Sequence, residues 1–380
     1  MKPSRLSFVV ATISLVALVL SGCNSEEMFS GLSQSGEFKI SDPNASYFDR
    51  EGRFNLLRST QYSTLLSAMR SPRSCEKTAT PEPIGFLVIP MFYENPDGYA
   101  TATAPLQRFE AFVTDMAEFY LVTRDATYAR CVASVLEAWA GKDSLLFFDY
   151  SNRGRQAWYN AVWTTVSAGL AYSIIRDDAS IRNETRRTID GWLNKAAKKH
   201  ISLSGGQGDC CNNHAYWRGL EAAISGVVSN DRELFLFAIN TYRHALTSMN
   251  RDGSFPLEMD RSERALHYQN FALLPLVYTA EIANRQGIDL YSLTIDGKSL
   301  HTAIAFLLKA LDDPDVVKKY TNKNQDLSFA GTRLDFNWME PYAARFPNQR
   351  IESVLTTKRP LSHRYGGGNS TLYFYDLTAK

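Results

Sequence analysis

The sequence predicts an all-α fold of stacked helical hairpins, and three observations carry that reading. Apolar residues recur at three- and four-residue steps in stretch after stretch, the breaks between them are short and rich in turn formers, and strand-like segments are scarce. The first long periodic stretch, 106–122, stops at Arg124-Asp125, and a second runs over 128–139. Further helices are expected over 158–175, 188–201 and 216–228; Ser229-Asn230-Asp231 then separates the last of these from 234–249. Arg251-Asp252-Gly253 makes the next break, followed by helices over 265–282 and 300–311. Only 84–90 and 370–375 read as strands. Such helices can form a bundle, a solenoid or a ring of hairpins, and periodicity does not choose among these; the lack of self-similarity at a fixed period weighs against a regular solenoid.

Ahead of the helices lie basic Lys2 and Arg5, an apolar run over 8–20, and Leu20-Ser21-Gly22-Cys23, the layout of a bacterial lipoprotein signal. The run is short of the ~20 residues that span a bilayer. Residues 1–22 are therefore expected to be a signal peptide and Cys23 the lipidated start of the mature chain. Asn24, rather than an aspartate, follows it, which points to the periplasmic face of the outer membrane. Residues 23–45 are small and polar and read as a flexible tether. Residues 46–380 contain no second linker and are taken as one domain.

Lys+Arg total 41 against 40 Asp+Glu, so there is no basic excess of the kind that marks nucleic-acid binding. An acidic polymer would have to be met by local cations. A monomer without a cofactor is expected, and the six histidines show no paired metal-ligand spacing. Besides Cys23 there are Cys75, Cys131, Cys210 and Cys211. In an oxidising periplasm Cys75 and Cys131 make the natural long-range bridge. Cys210 and Cys211 are either a vicinal disulfide, with alpha carbons only ~3.8 Å apart, or two buried thiols. The aromatics Phe92, Tyr93, Tyr99, Trp158, Tyr159, Trp217, Trp338 and Tyr342 lie in loops or near helix ends, and together suit a groove in which sugar faces stack on rings.

Two segments could carry chemistry. In the first, a loop over 204–211 runs into Asn212-Asn213-His214, where asparagines are preferred N-caps. His214 then sits in a first helical turn, beside free amides and the positive dipole end, a place to hold a carboxylate. Taken alone, such a histidine is more often a cap or core residue. The second segment runs from Asp252 to Phe271. If 261–271 is helical, Arg261 and Tyr268 share a face ~10 Å apart along the axis, with room for a sugar ring between them. Arginine matches a carboxylate with a planar fork, and a phenol can serve as base or acid according to its protonation.

At these residues the sequence resembles polysaccharide lyase family 5, the mannuronate-specific alginate lyases. The resemblance rests on Asn212-Asn213-His214-Ala215-Tyr216-Trp217, on Asp252-Gly253 through Pro256 with Glu258, and on Arg261, Arg264-Ala265-Leu266 and Tyr268. It continues in Trp338-Met339-Glu340-Pro341-Tyr342 and Gly366-Gly367-Gly368, from about residue 81 to the end. It implies an incomplete α/α toroid with an open groove, and catalytic roles for Asn213, His214, Arg261 and Tyr268. Tyr93, Trp217, Arg264, Trp338, Tyr342 and Arg364 are expected to bind substrate, Tyr93 from the position of the family's lid. The family's tyrosine-histidine-asparagine triplet is Tyr268-Gln269-Asn270 here, its arginine pair is reduced to Arg261-Ser262, and Leu257 replaces an asparagine.

The implied reaction is β-elimination: the C5 proton of a uronate is removed and the C4 oxygen expelled, leaving an unsaturated sugar. Asn213, Arg261 and His214 would neutralise the carboxylate and the developing enolate, and Tyr268 would take the proton and return one. In β-D-mannuronate and β-D-glucuronate the C5 hydrogen and C4 oxygen lie on one side of the ring, which suits a single tyrosine; in α-L-guluronate they are opposed. A free phenol is a weak base at neutral pH, so Arg261, Arg264 and His214 are expected to lower the Tyr268 pKa. The competing readings are a lyase for another polyuronate such as glucuronan, a glycoside hydrolase using Glu258 and Asp260, and a non-catalytic polysaccharide-binding lipoprotein.

Overall fold

A computed structural model describes residues 38–67, 69, 72–151, 155–205, 209–332 and 335–377. The signal peptide, Cys23 and most of the tether lie outside the described residues. The tether's expected end does not: Ser41 and Asp42 donate their backbone N–H groups to Gln286 Oε1, each at 2.9 Å, and Ala45 is buried. Docked structure therefore begins before residue 46.

The eight expected helical stretches all form, the first starting ten residues earlier and the others keeping their bounds to within five residues, and further helices ahead of and after them were not expected. They are α1 Arg50–Leu57, α2 Pro96–Thr123, α3 Ala126–Gly141, α4 Arg155–Ile175, α5 Asn183–Ile201, α6 Asn213–Ser229 and α7 Arg232–Ser248. After them come α8 Ala265–Arg285, α9 Leu300–Asp312, α10 Met339–Arg345, α11 Gln349–Lys358 and α12 Ser370–Phe374. Capping side chains fix several starts. Asn95 accepts from Gly98 N, Asp125 from Thr127 N, and Asp231 from Glu233 N and Leu234 N.

Helices α2, α4, α6 and α8 pack on one another in succession, and α3, α5 and α7 lie outside them as the return arms of the hairpins. This is a two-layered α/α toroid. The layering shows in burial: α4 is buried on every side from Gln156 to Ile175. The outer α5 buries only Thr185, Ile189, Trp192, Leu193, Ala196, Ala197 and His200, one stripe at helical spacing.

Both strand expectations are corrected. Within 370–375, Ser370–Phe374 form α12, started by Asn369 accepting from Leu372 N, and the small antiparallel pair is instead Ser362–His363 with Gly368–Asn369. In 84–90 only Leu87 makes a bridge, parallel to Phe148, and Phe86 and Val88 face solvent. The Cys75–Cys131 and Cys210–Cys211 pairs are both disulfide-bonded. The first ties the segment before α2 to α3, and the second sits in the loop that feeds α6.

Candidate active site

The N-terminus of α6 forms one wall of the site. Asn212 is its cap and accepts from the His214 backbone N–H at 2.9 Å. The loop before it is pinned from behind by Arg218, whose Nη1 donates to the Leu203 carbonyl at 2.8 Å and whose Nη2 donates to the Asp209 carbonyl at 3.0 Å. His214 lies flat on Tyr159, with ring centroids 3.7 Å apart and planes 17° apart. Tyr159 is held in turn: its hydroxyl donates to Asp209 Oδ2 at 2.5 Å, and Arg155 Nη1 donates to the same oxygen at 3.0 Å. Burial drives the His214 imidazole down to about 3, with Arg261 and Arg218 pushing the same way and Asp209 opposing. The ring is therefore neutral at neutral pH, although the residue keeps some exposed surface.

Asn213 is completely buried and faces Glu258, itself completely buried on the short turn Pro256–Met259. The Asn213 backbone N–H donates to Glu258 Oε1 at 2.6 Å, and its Nδ2 lies 3.1 and 3.0 Å from Oε1 and Oε2. Turn formation here depends on Gly253 (φ 96°), since any side chain would collide with the Thr302 carbonyl. Gln269, the departure from the family triplet, is buried and serves this same turn. Its Oε1 accepts from Phe255 N at 2.9 Å, and its Nε2 donates to the Gly253 carbonyl at 3.0 Å.

The opposite wall carries the cations. Arg261 and Tyr268 do not share a helix: Ser262 adopts φ 58°, residues 262–264 form a 3-10 turn, and α8 begins at Ala265. The fold-back places the Arg261 guanidinium 4.7 Å from the centroid of the Tyr268 ring, so no sugar fits between them. Both side chains instead lie against each other, with Arg261 Nε 3.8 Å from Glu258 Oε2. The Tyr268 hydroxyl is 2.8 Å from that of Tyr93, and Arg264 lies 4.0 Å over the Tyr93 ring. Burial raises the Tyr268 phenol well above its ordinary value, and the hydrogen bond and charge of Tyr93 add to this; Arg261 and Arg264 pull the other way and lose. The expectation that the cations bring this phenol below its ordinary value fails, because burial and Tyr93 outweigh them.

Of the expected substrate contacts, Tyr93, Arg264 and Arg364 present exposed surface. Arg364 sits where Tyr365 meets Trp163, with its Nε 2.6 Å from Glu110 Oε2. Trp217, Trp338 and Tyr342 are not groove residues. Trp217 is fully buried beneath His214 among Trp163, Phe271 and Tyr365. Trp338 is fully buried with its indole N–H donating to Asn270 Oδ1 at 2.8 Å, and Tyr342 is buried and bonded to His301. Aromatic side chains serve cores and sugar platforms alike, so residue type did not separate them. Asp209 and Arg155 were missed altogether, having no signal beyond their charge. Among the described residues no group of three His, Cys, Asp or Glu side chains is placed to hold a metal ion.

Comparison with known proteins places this geometry in context. The family model for alginate lyase matches residues 91–317. Alginate lyase A1-III from Sphingomonas species A1, solved as a histidine-to-alanine variant complexed with tetrasaccharide, superposes with a TM-score of 0.85 at 37% identity, covering 90% of this chain and 98% of that one. A tyrosine-to-phenylalanine variant of the same enzyme, also with tetrasaccharide, gives a TM-score of 0.83 at 37% identity and the same coverage. A polysaccharide lyase of Stenotrophomonas maltophilia is 31% identical over 71% of this chain and 79% of its own length.

Proposed function

This chain belongs to the alginate lyase family, and on that premise we propose that it cleaves the mannuronate blocks of alginate by β-elimination through Asn213, His214, Arg261 and Tyr268. It is a polysaccharide lyase acting on alginate, an anionic polymer, and neither hydrolysis nor binding without turnover is favoured. Glu258, the acid a hydrolase would need, is fully buried and bonded to Asn213. The observation that carries the assignment of roles is the meeting of Arg261, Tyr268 and the Asn213–His214 helix start. The tetrasaccharide complexes of A1-III with a histidine or a tyrosine replaced support the choice of residues.

The uronate carboxylate sits against the Arg261 fork, whose charge-assisted bonds neutralise it and stabilise the enolate that forms when C5 loses its proton; the first N–H groups of α6 are taken by Glu258 and Asn212, so the helix start adds its dipole rather than hydrogen bonds. His214, being neutral, contributes a hydrogen bond rather than a charge, and Tyr159 fixes its plane. A sugar seated beside Tyr268 replaces the Tyr93 hydroxyl bond, one of the causes that raise the phenol, and leaves Arg261 and Arg264 as its dominant neighbours. Tyr268 then accepts the C5 proton and donates one to the C4 oxygen on the same ring face, as mannuronate requires. Arg364, Arg264 and Tyr93 hold neighbouring sugars. A neutral His214 and a single acid–base tyrosine do not by themselves distinguish mannuronate from glucuronate, and the family membership favours the former.

The reading also includes a lipid on Cys23, a periplasmic enzyme held to the outer membrane, and a monomer. Radiolabelled fatty acid incorporation that disappears in Cys23→Ala checks the anchor. The assay for function is the ultraviolet absorbance of the unsaturated product, run in parallel on polymannuronate, polyguluronate and glucuronan. Polymannuronate is expected to give the fastest rise, and a preference for polyguluronate would overturn the single-tyrosine mechanism.

A further inference from the structure

Glu258 has no part in the mechanism above, yet it is the group around which the carboxylate end of the site is arranged. Its only partners among the hydrogen bonds described are the backbone N–H and side-chain amide of Asn213. The charged and titratable groups around it come from three places. Arg261 lies on the turn that follows, Asp209 on the loop before α6, and the Tyr216 phenol one turn along α6. Arg261 is the one of these that favours the carboxylate, and it is 3.8 Å away and partly exposed rather than closed on it. Asn213 shows the complementary mismatch: its Oδ1 is buried and has no hydrogen-bond partner among the described residues. An ionised carboxylate can only accept, so it must face Nδ2 and leaves that oxygen unmet. A carboxylic acid would meet both groups, its hydroxyl donating to Oδ1 while its carbonyl accepts the backbone N–H.

We propose that Glu258 is the positioning residue of the uronate-carboxylate subsite, and that it takes up one proton from solvent when the polymer binds, turning the Asn213 amide so that Nδ2 faces the substrate carboxylate. The inference rests on the assignment of Asn213 and Arg261 to that carboxylate. The physical reason is the rule for two anions in one enclosed site: when a uronate carboxylate claims the Arg261 fork, Glu258 loses its single counter-charge and cannot stay ionised. The only bond made is O–H on Glu258, and the substrate is unchanged by it. Burial already lifts this carboxyl to about 7, against the pull of Arg261 and Asn213, so a modest added repulsion completes the change.

The test is calorimetric titration of the Tyr268→Phe protein with a mannuronate tetrasaccharide, in buffers of differing ionisation heat, between about pH 6 and 9. The expected result is uptake approaching one proton per site above about pH 7, with affinity falling up to about tenfold per pH unit over the range where uptake occurs. Adding Glu258→Gln should abolish the uptake and flatten the affinity near its low-pH value, because the amide can donate to Oδ1 at any pH. Infrared difference spectra of the Tyr268→Phe protein labelled with 13C-glutamate should show a protonated carboxyl appearing on binding, a readout that needs no change at Glu258. Binding without proton uptake, or uptake that persists in the Glu258→Gln background because the proton lands on His214, overturns the proposal while leaving the lyase assignment intact. Failure of the tetrasaccharide to bind at all overturns both this proposal and the assignment of the subsite beneath it.

Discussion

Glu258 and Glu110 are both buried carboxyls lifted to about 7 by burial, and each lies beside one arginine of the groove, but the two pairs are built differently. Arg364 is closed on Glu110 at 2.6 Å, and the other Glu110 oxygen accepts from Thr164 at 2.6 Å. Arg261 stands 3.8 Å from Glu258, reaches over the Tyr268 ring, and is felt electrostatically at Tyr159 and His214 as well. A closed pair spends its charge on the protein and leaves the arginine as a fixed, oriented donor. An open pair keeps charge available for a ligand, at the cost of holding a carboxyl in an unfavourable place. On the proposed mechanism, chemistry falls to the Arg261 side and substrate grip to the Arg364 side.

Measurements on variants can break or sharpen that division. The largest effect belongs to Tyr268→Phe, which removes base and acid together and should lower kcat by at least about 10^3-fold with product absorbance at background; turnover near wild type would remove Tyr268 from the reaction. Arg261→Ala comes next, with about 3 kcal/mol lost from transition-state stabilisation, read in kcat/KM, and a change of less than tenfold would contradict an open, catalytic arginine. Arg364→Ala should act mainly through KM, raising it about tenfold while kcat falls little, as expected for an interaction equal in ground and transition states. If its loss fell on kcat, the two arginines would not differ in kind. Tyr93→Phe should be milder still. Removing a hydroxyl that raises the Tyr268 phenol lowers that pKa, so the rising alkaline limb of kcat/KM should move to lower pH. Smallest for activity is Trp338→Phe, which should cost about 1–3 kcal/mol of stability through the orphaned Asn270 carbonyl and leave turnover alone; a clear activity loss would return Trp338 to the groove.

The division between the two sides was only half legible in the sequence. Helix positions were readable because inner and outer layers both keep the 3.6-residue period, but the central place of α4 was not, since Gln156, Asn160, Thr164, Thr165, Ser167 and Ser173 are buried along with its apolar residues. The N-terminus of α6 was readable from its asparagine cap. Arg261 and Tyr268 were correctly paired, but for the wrong geometric reason. Their seven-residue spacing implied a shared helix, whereas Ser262 turns the chain through a left-handed conformation that a serine does not advertise. The Asn213–Glu258 contact joins residues far apart in the chain, and no local pattern encodes it. The vicinal cysteines lay open between two readings until the loop geometry was seen.

Arg53 of α1 gives its guanidinium to three carbonyls near the other end of the chain, those of Leu372, Thr371 at 3.3 Å and Tyr375 at 2.8 Å. That contact closes a loop of more than three hundred residues, so it is among the last that a folding chain can make. The early helices can pair as they appear, and α1 already meets α2 and the end of α4, but the Arg53 guanidinium has no acceptors until the segment around α12 has been delivered. For a chain that emerges N-terminus first, closure of this contact then waits on the final segment, and a shortened polypeptide would leave the Arg53 guanidinium, buried in the finished fold, without its acceptors, a natural handle for the proteases that remove incomplete products.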